Sequence, residues 1–214
     1  MYLQASGFVL KYRNWREGDR IYTIYTDRIG KLDIQARGTR KAQSKLAGQM
    51  LPFRLVNFSL VKGRQRYQLI AAQTKEDLLS DRNILQFGYG FYFLELIDEL
   101  TRVGQRSLEV FEILENGLRV LQQVQSDNVE YCKRLRVAFL LKVLEVTGFN
   151  PEERVERGDP IQGILEKYLR CPLSEVVKFE LNGELKVLFN ISQYGLNEVI
   201  EKPLKSVRFL QKLT

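Results

Sequence analysis

The sequence predicts a multi-domain α+β protein, a small five-stranded β-barrel followed by an all-α domain, and three observations carry that expectation. Segments rich in β-branched and aromatic residues fill the chain as far as Thr74. Beyond Lys75 the apolar period lengthens from two to three or four, and basic charge is concentrated in the first part.

Strands are expected at residues 7–13, 20–26, 31–37, 50–61 and 66–74. The second is the plainest: Ile21, Thr23 and Tyr25 point to one face and Tyr22, Ile24 and Thr26 to the other, because side chains alternate across a strand. Asp27-Arg28-Ile29-Gly30 reads as a tight turn and Lys62-Gly63-Arg64 as a hairpin tip. Five short strands in so little chain suit a closed barrel of the OB type, assigned to residues 1–78.

Residues 79–214 are expected to be helical, joined to the barrel near residues 77–81 with no long linker. Phe93, Ile97, Leu100 and Val103 form one stripe, and Phe111, Leu114, Leu118 and Leu121 another. Further helices are predicted over 129–146 and over 160–170, the latter with Asp159 as N-cap and Pro160 in the first helical position. Residues 177–189 have two readings. Asn182-Gly183 can turn a type I′ hairpin, or helices can lie on both sides with Gly183 as a C-cap and Leu185, Leu188, Ser192, Leu196 and Val199 as a buried stripe. The helical reading is preferred.

Composition excludes several classes of function. With no histidine, the commonest general base and metal ligand is absent, so no catalytic site is expected. The neighbouring carboxylates Asp98-Glu99 and Glu152-Glu153 diverge on solvated surfaces instead of sharing a cleft. Cys132 and Cys171 are too few for a zinc site and too far apart in sequence for a disulfide framework; with no secretory leader read ahead of the first strand, a reducing cytoplasm is expected. No apolar run reaches the length of a membrane span. Phe87-Gly88-Tyr89-Gly90-Phe91 imitates an RNA-recognition strand, but the spacing after it is helical, so its glycines are expected to permit close helix packing.

Charge points to a polyanion. Residues 1–80 hold 15 Lys and Arg against 6 Asp and Glu, whereas the remainder holds 18 against 20. Such asymmetry marks a nucleic-acid-binding module joined to a neutral one. The candidate contacts lie on the first strand and in three basic loops: Lys11, Arg13, Trp15 and Arg16; Arg37, Arg40, Lys41 and Lys45; and Lys62, Arg64 and Arg66. Trp15 is either a stacking platform for a base or a cap on the barrel end. Composition alone permits an RNA- or ribosome-associated module as readily as a DNA-binding one.

The order and spacing of several motifs narrow the choice. Phe8-Val9-Leu10-Lys11, Glu17-Gly18-Asp19-Arg20-Ile21, Gly30-Lys31-Leu32, Ala36-Arg37-Gly38-Thr39-Arg40-Lys41, Ser44-Lys45-Leu46-Ala47-Gly48 and Leu51-Pro52-Phe53 closely resemble the N-terminal barrel of the RecO family. Phe93-Leu94-Glu95-Leu96-Ile97-Asp98 and Pro203-Leu204-Lys205-Ser206 are similar to its helical domain. The resemblance implies a non-enzymatic mediator that binds single- and double-stranded DNA and anneals complementary strands. It also implies cooperation with RecR, contact with the acidic tail of single-stranded-DNA-binding protein (SSB), and help in loading RecA. Lys133, Arg134 and Arg136 are the expected tail contacts. Many relatives carry a four-cysteine zinc finger where this chain has Asn150-Pro151-Glu152-Glu153-Arg154, so neither metal nor cofactor is expected.

Overall fold

A computed structural model of the chain describes residues 2–41, 43–79, 83–124, 128–156, 158–181 and 183–213. The strands are β1 (Tyr2–Trp15), β2 (Asp19–Thr26) and β3 (Gly30–Ala36), then, after the short helix α1 (Lys45–Gln49), β4 (Arg54–Lys62) and β5 (Tyr67–Asp77). They close in the order β1-β2-β3-β5-β4, the OB arrangement, with β3 and β5 parallel and every other pair antiparallel. Alternation explains the core: Tyr22 and Ile24 of β2, Leu32 and Ile34 of β3, and Phe58 and Leu60 of β4 meet inside.

Two strand ends differ from expectation. β1 starts at Tyr2 and not at residue 7, because its first half pairs with β4 while its second half pairs with β2. β4 starts at Arg54 and not at residue 50, since Met50 donates its N–H to Leu46 and Ala47 and so ends α1.

The helices that follow are α2 (Ile84–Leu100), α3 (Leu108–Gln122), α4 (Val129–Val146), α5 (Ile161–Arg170), α6 (Leu173–Val176), α7 (Glu184–Val199) and α8 (Lys205–Leu210). The chain divides into two compact units, residues 1–81 with 101–115, and residues 82–100 with 116–214. Of the stretch 77–81 where the junction was expected, Ser80 and Asp81 lie outside the described residues.

In the first unit, residues 101–111 run back across the barrel. The Lys31 ammonium donates to the Thr101 carbonyl at 3.1 Å, Gly104 N–H to the Lys31 carbonyl at 2.8 Å, and the Tyr25 hydroxyl to the Ser107 carbonyl at 3.1 Å. Phe111 then reaches Phe8 of β1, ring centroids 5.9 Å apart. Gly30 permits this approach, since its φ is +75° and a Cβ there would stand 2.1 Å from the Gln105 carbonyl oxygen.

In the second unit, α2 and α4 form the centre, where the Phe93 and Phe139 rings stack at 4.0 Å. Phe87-Gly88-Tyr89-Gly90-Phe91 lies within α2, and a Cβ on Gly88 would meet Leu210 of α8 at 2.9 Å. Glu95 of α2 accepts the N–H groups of Lys205 and Ser206, at 2.9 and 2.8 Å, and so holds the start of α8. Asp159 accepts the Ile161 N–H at 2.8 Å, with Pro160 in the cap position. Gly183, expected as a C-cap, instead precedes α7 with φ +115°. No strand occurs among the described residues of 177–189; Asn182, the other turn residue of the alternative hairpin, lies outside them. Leu188, Ser192 and Leu196 are buried as expected, but Val199 at the end of α7 is half exposed, and Val103 beyond the end of α2 is more exposed still.

Candidate nucleic-acid interface

The three basic loops come from the same end of the barrel's strands, and backbone hydrogen bonds join two of them. Asp19, at the start of β2, accepts the Gly38 N–H at 3.0 Å and the Gln35 side-chain amide at 2.9 Å. Arg40 donates its N–H to the Gly18 carbonyl at 3.0 Å and its guanidinium to the Arg16 carbonyl at 2.9 Å. Arg16 has φ +52°, a left-handed conformation unusual outside glycine that turns the chain sharply between β1 and β2. The N–H of Gly38 holds the Asp19 carboxyl below the usual carboxylate range, with Gln35 and the charges of Arg37 and Arg16 adding to the effect against desolvation.

That depression has a pH consequence. A carboxyl whose pKa is lowered on folding stabilises the loop above its unfolded pKa and loses that contribution as pH falls through the folded value. The protection of the Gly38 amide, its exchange rate compared with that of an unstructured chain at the same pH, is therefore expected to hold from neutrality to the lower edge of the carboxylate range and to fall below it. In Asp19→Ala protection is expected to be low throughout; equal protection in the variant would remove Asp19 from this role.

The third loop joins through Trp15. The Arg13 guanidinium, two residues back on β1, and that of Arg66, at the end of the β4–β5 hairpin, each lie 5.4 Å from the indole centroid. Trp15 is half-buried between these neighbours. Cation–π contact of this kind orders the ring and places positive charge beside it.

A second feature lies in the helical unit. Lys133 and Arg136 of α4, with Lys186 of α7, edge a cavity of about 440 Å³ lined by Val137, Leu181, Leu185 and Phe189. Arg136 is positioned by the rings of Tyr92 and Phe189, 4.7 and 5.2 Å from its guanidinium. Glu130 also lines the cavity and lies 4.0 Å from Lys133. Arg134 turns elsewhere, donating to the Phe179 carbonyl at 2.8 Å.

Comparison with known proteins then decides the family. The family model described as "Recombination protein O N terminal" matches residues 1–77, and that described as "Recombination protein O C terminal" matches residues 82–156. The chain belongs to the RecO family. It is 33% identical over 152 residues to "DNA repair protein RecO" of Alkaliphilus metalliredigens, covering 71% of this chain and 60% of that protein. It is 32% identical over 163 residues to the protein of that name from Pelotomaculum thermopropionicum, covering 76% and 60%. With the Desulforamulus reducens protein it shares 28% identity over 221 residues, 95% of this chain and 84% of the relative. The matched segment thus spans about 60% of the length of several relatives.

Within this RecO barrel, Arg13, Trp15, Arg16, Arg37, Arg40, Lys41 and Arg66 converge, while Lys62 and Arg64 are exposed on the hairpin that ends in Arg66. Lys11 lies on the exposed part of β1, opposite Thr23 and in alternation with Arg13. Lys45 follows on the same loop as the first residue of α1, where the Ser44 N–H bonds the Lys41 carbonyl at 3.0 Å, while Gln49 at the other end of α1 accepts the Thr74 N–H of β5. Sequence reasoning missed Arg20, which stacks on Tyr12 at 4.5 Å, and Lys186 at the helical cavity. A search for a cation and an aromatic at diagonal positions of adjacent strands would have flagged the former, since Arg20 pairs with Asn14 and Tyr12 with Tyr22; nothing local marks the latter. Among the described residues no group of three or more His, Cys, Asp or Glu side chains is placed to hold a metal ion, and no helix is long and apolar enough to cross a membrane.

Proposed function

We propose that this RecO chain is a DNA repair and recombination mediator that binds single- and double-stranded DNA at the barrel rim and anneals complementary strands. Together with RecR it assists RecA loading on DNA coated by SSB, in the cytoplasm. The observation that carries this reading is Trp15 flanked by Arg13 and Arg66 beside the joined loop of Arg16, Arg37, Arg40 and Lys41. An aromatic platform takes the face of any base, and guanidinium groups around it take phosphates, so recognition is indifferent to sequence. No step of bond making is assigned to the protein.

The cavity edged by Lys133, Arg136 and Lys186 supports the SSB contact, because its apolar floor suits an aromatic residue and its basic edge suits acidic neighbours. Arg134 is not assigned to that contact, since its guanidinium is spent on Phe179.

Fluorescence anisotropy with labelled single-stranded DNA tests the reading. With about five phosphate contacts, affinity is expected to fall roughly 100-fold between 50 and 200 mM salt. No binding at low salt rejects a DNA site, and an RNA competitor that displaces better than DNA of equal length transfers the site to RNA. Faster annealing of complementary strands already coated by SSB is the expected mark of a mediator, beyond what a DNA-binding barrel alone produces.

A further inference from the structure

A second basic cluster is assembled at the opposite end of β2 by the segment that returns to the barrel. We propose that Arg28, Arg102 and Arg106 form a separate phosphate-binding site for a second DNA segment; the inference rests on the rim being a DNA site. Arg28 stands on the turn between β2 and β3, Arg102 and Arg106 stand on residues 101–107, and all three are exposed. The framework beneath them is backbone: Gly104 N–H bonds the Lys31 carbonyl, the Lys31 ammonium bonds the Thr101 carbonyl, and Arg106 Nε bonds the Asp27 carbonyl at 3.1 Å. One oxygen of the Asp27 carboxylate accepts the Ser6 N–H at 2.9 Å. The backbone segments that carry these arginines, distant in sequence, are thus held together on a fixed surface, and planar guanidinium donors match phosphate oxygens.

Two features separate this cluster from the rim. β2 spans Asp19–Thr26, which at roughly 3.3 Å per residue puts about 23 Å between its ends. That is nearly three times the screening length of about 8 Å at physiological salt, so each cluster sets its own local potential. The sheet face between them is unsuited to a phosphate chain. It carries the Asp33 carboxylate, bonded by the Thr23 hydroxyl at 2.8 Å, and then the returning segment seated on Tyr25. A strand laid from the rim across that face meets a carboxylate and then covered sheet, whereas separate strands at the two ends each meet cations.

The test uses the full chain and oligo-dT of about eight nucleotides, within the range of one OB site. Native mass spectrometry is expected to find two oligonucleotides per chain, and binding of the first to quench Trp15 fluorescence. In Arg28→Glu/Arg102→Glu/Arg106→Glu, quenching is expected to hold within two-fold while the second oligonucleotide is lost or weakened at least ten-fold. Two oligonucleotides bound undiminished to that variant would overturn the second site. Loss of Trp15 quenching together with the second oligonucleotide would show one continuous path and overturn it too. If no oligonucleotide binds the wild type, the rim itself is misread. Should the triple variant fail to fold, Arg28→Glu/Arg102→Glu leaves the hydrogen bonds above intact and gives the same readout.

Discussion

Reversing Arg13, Arg37 and Lys41 to glutamate is expected to weaken single-stranded DNA binding about 1,000-fold at physiological salt. Each cation that neutralises a phosphate on a single strand releases roughly 0.7 of a counterion, and losing three such contacts costs about 50-fold at 0.15 M salt. The three introduced anions repel the same phosphates, which accounts for the remainder. The logarithmic salt slope is expected to become shallower by about 2, and the loss to be equal for all sequences, because phosphate contacts carry no base code. The three side chains are exposed, so far-ultraviolet dichroism should not change. Affinity and slope unchanged by the triple reversal would move the site away from the rim.

The largest effect on stability is expected from Phe139→Ala. Phe139 is fully buried, stacks on Phe93 at an interplanar angle of 16°, and passes over Gly117, where a Cβ would stand 2.7 Å from the ring. Truncation removes both the transfer energy of the ring and its contacts, about 3–5 kcal/mol, and should lower the melting temperature by roughly 10 °C or more. Gly117→Ala is expected to cost about 1–3 kcal/mol by overpacking, because the approaching atoms are the edge of a ring held in place by its stacking on Phe93. The two changes should not add, since removing the ring relieves the clash. Calorimetry on the four proteins of the cycle checks this, and strict additivity would show that Gly117 and Phe139 do not act on one another.

Much of the barrel was legible in local pattern. Leu32, Ile34 and Ala36 alternate with Lys31, Asp33 and Gln35, and glycine or basic polar residues interrupt the strands where the chain turns. The start of β1 was less legible, because Tyr2 to Ser6 are defined by pairing with Val61 to Asn57, partners far away in sequence. The 129–146 helix matches its expected bounds, since both ends carry local signals, with Asn128 accepting the Tyr131 N–H at one of them. Gly183 was assigned to the wrong end of a helix, because a positive φ suits glycine equally after one helix or before the next. Of the three residues expected to contact the SSB tail, Arg134 shared every sequence feature of Lys133 and Arg136. Only the position of the Phe179 carbonyl separates it from them.

What the sequence determined by itself is the class of each segment and the sign of its charge, because strand alternation, helical period and turn chemistry are properties of neighbouring residues. Tertiary structure decided which charges act together. Arg13 and Arg66 meet at Trp15 only because the barrel closes β1 between β2 and β4, and the segment that carries Arg102 and Arg106 reaches the turn that carries Arg28 only because Gly30 lets residues 101–107 approach. Convergence of that kind depends on ring closure and close backbone approach between distant residues, and no short window of sequence contains either.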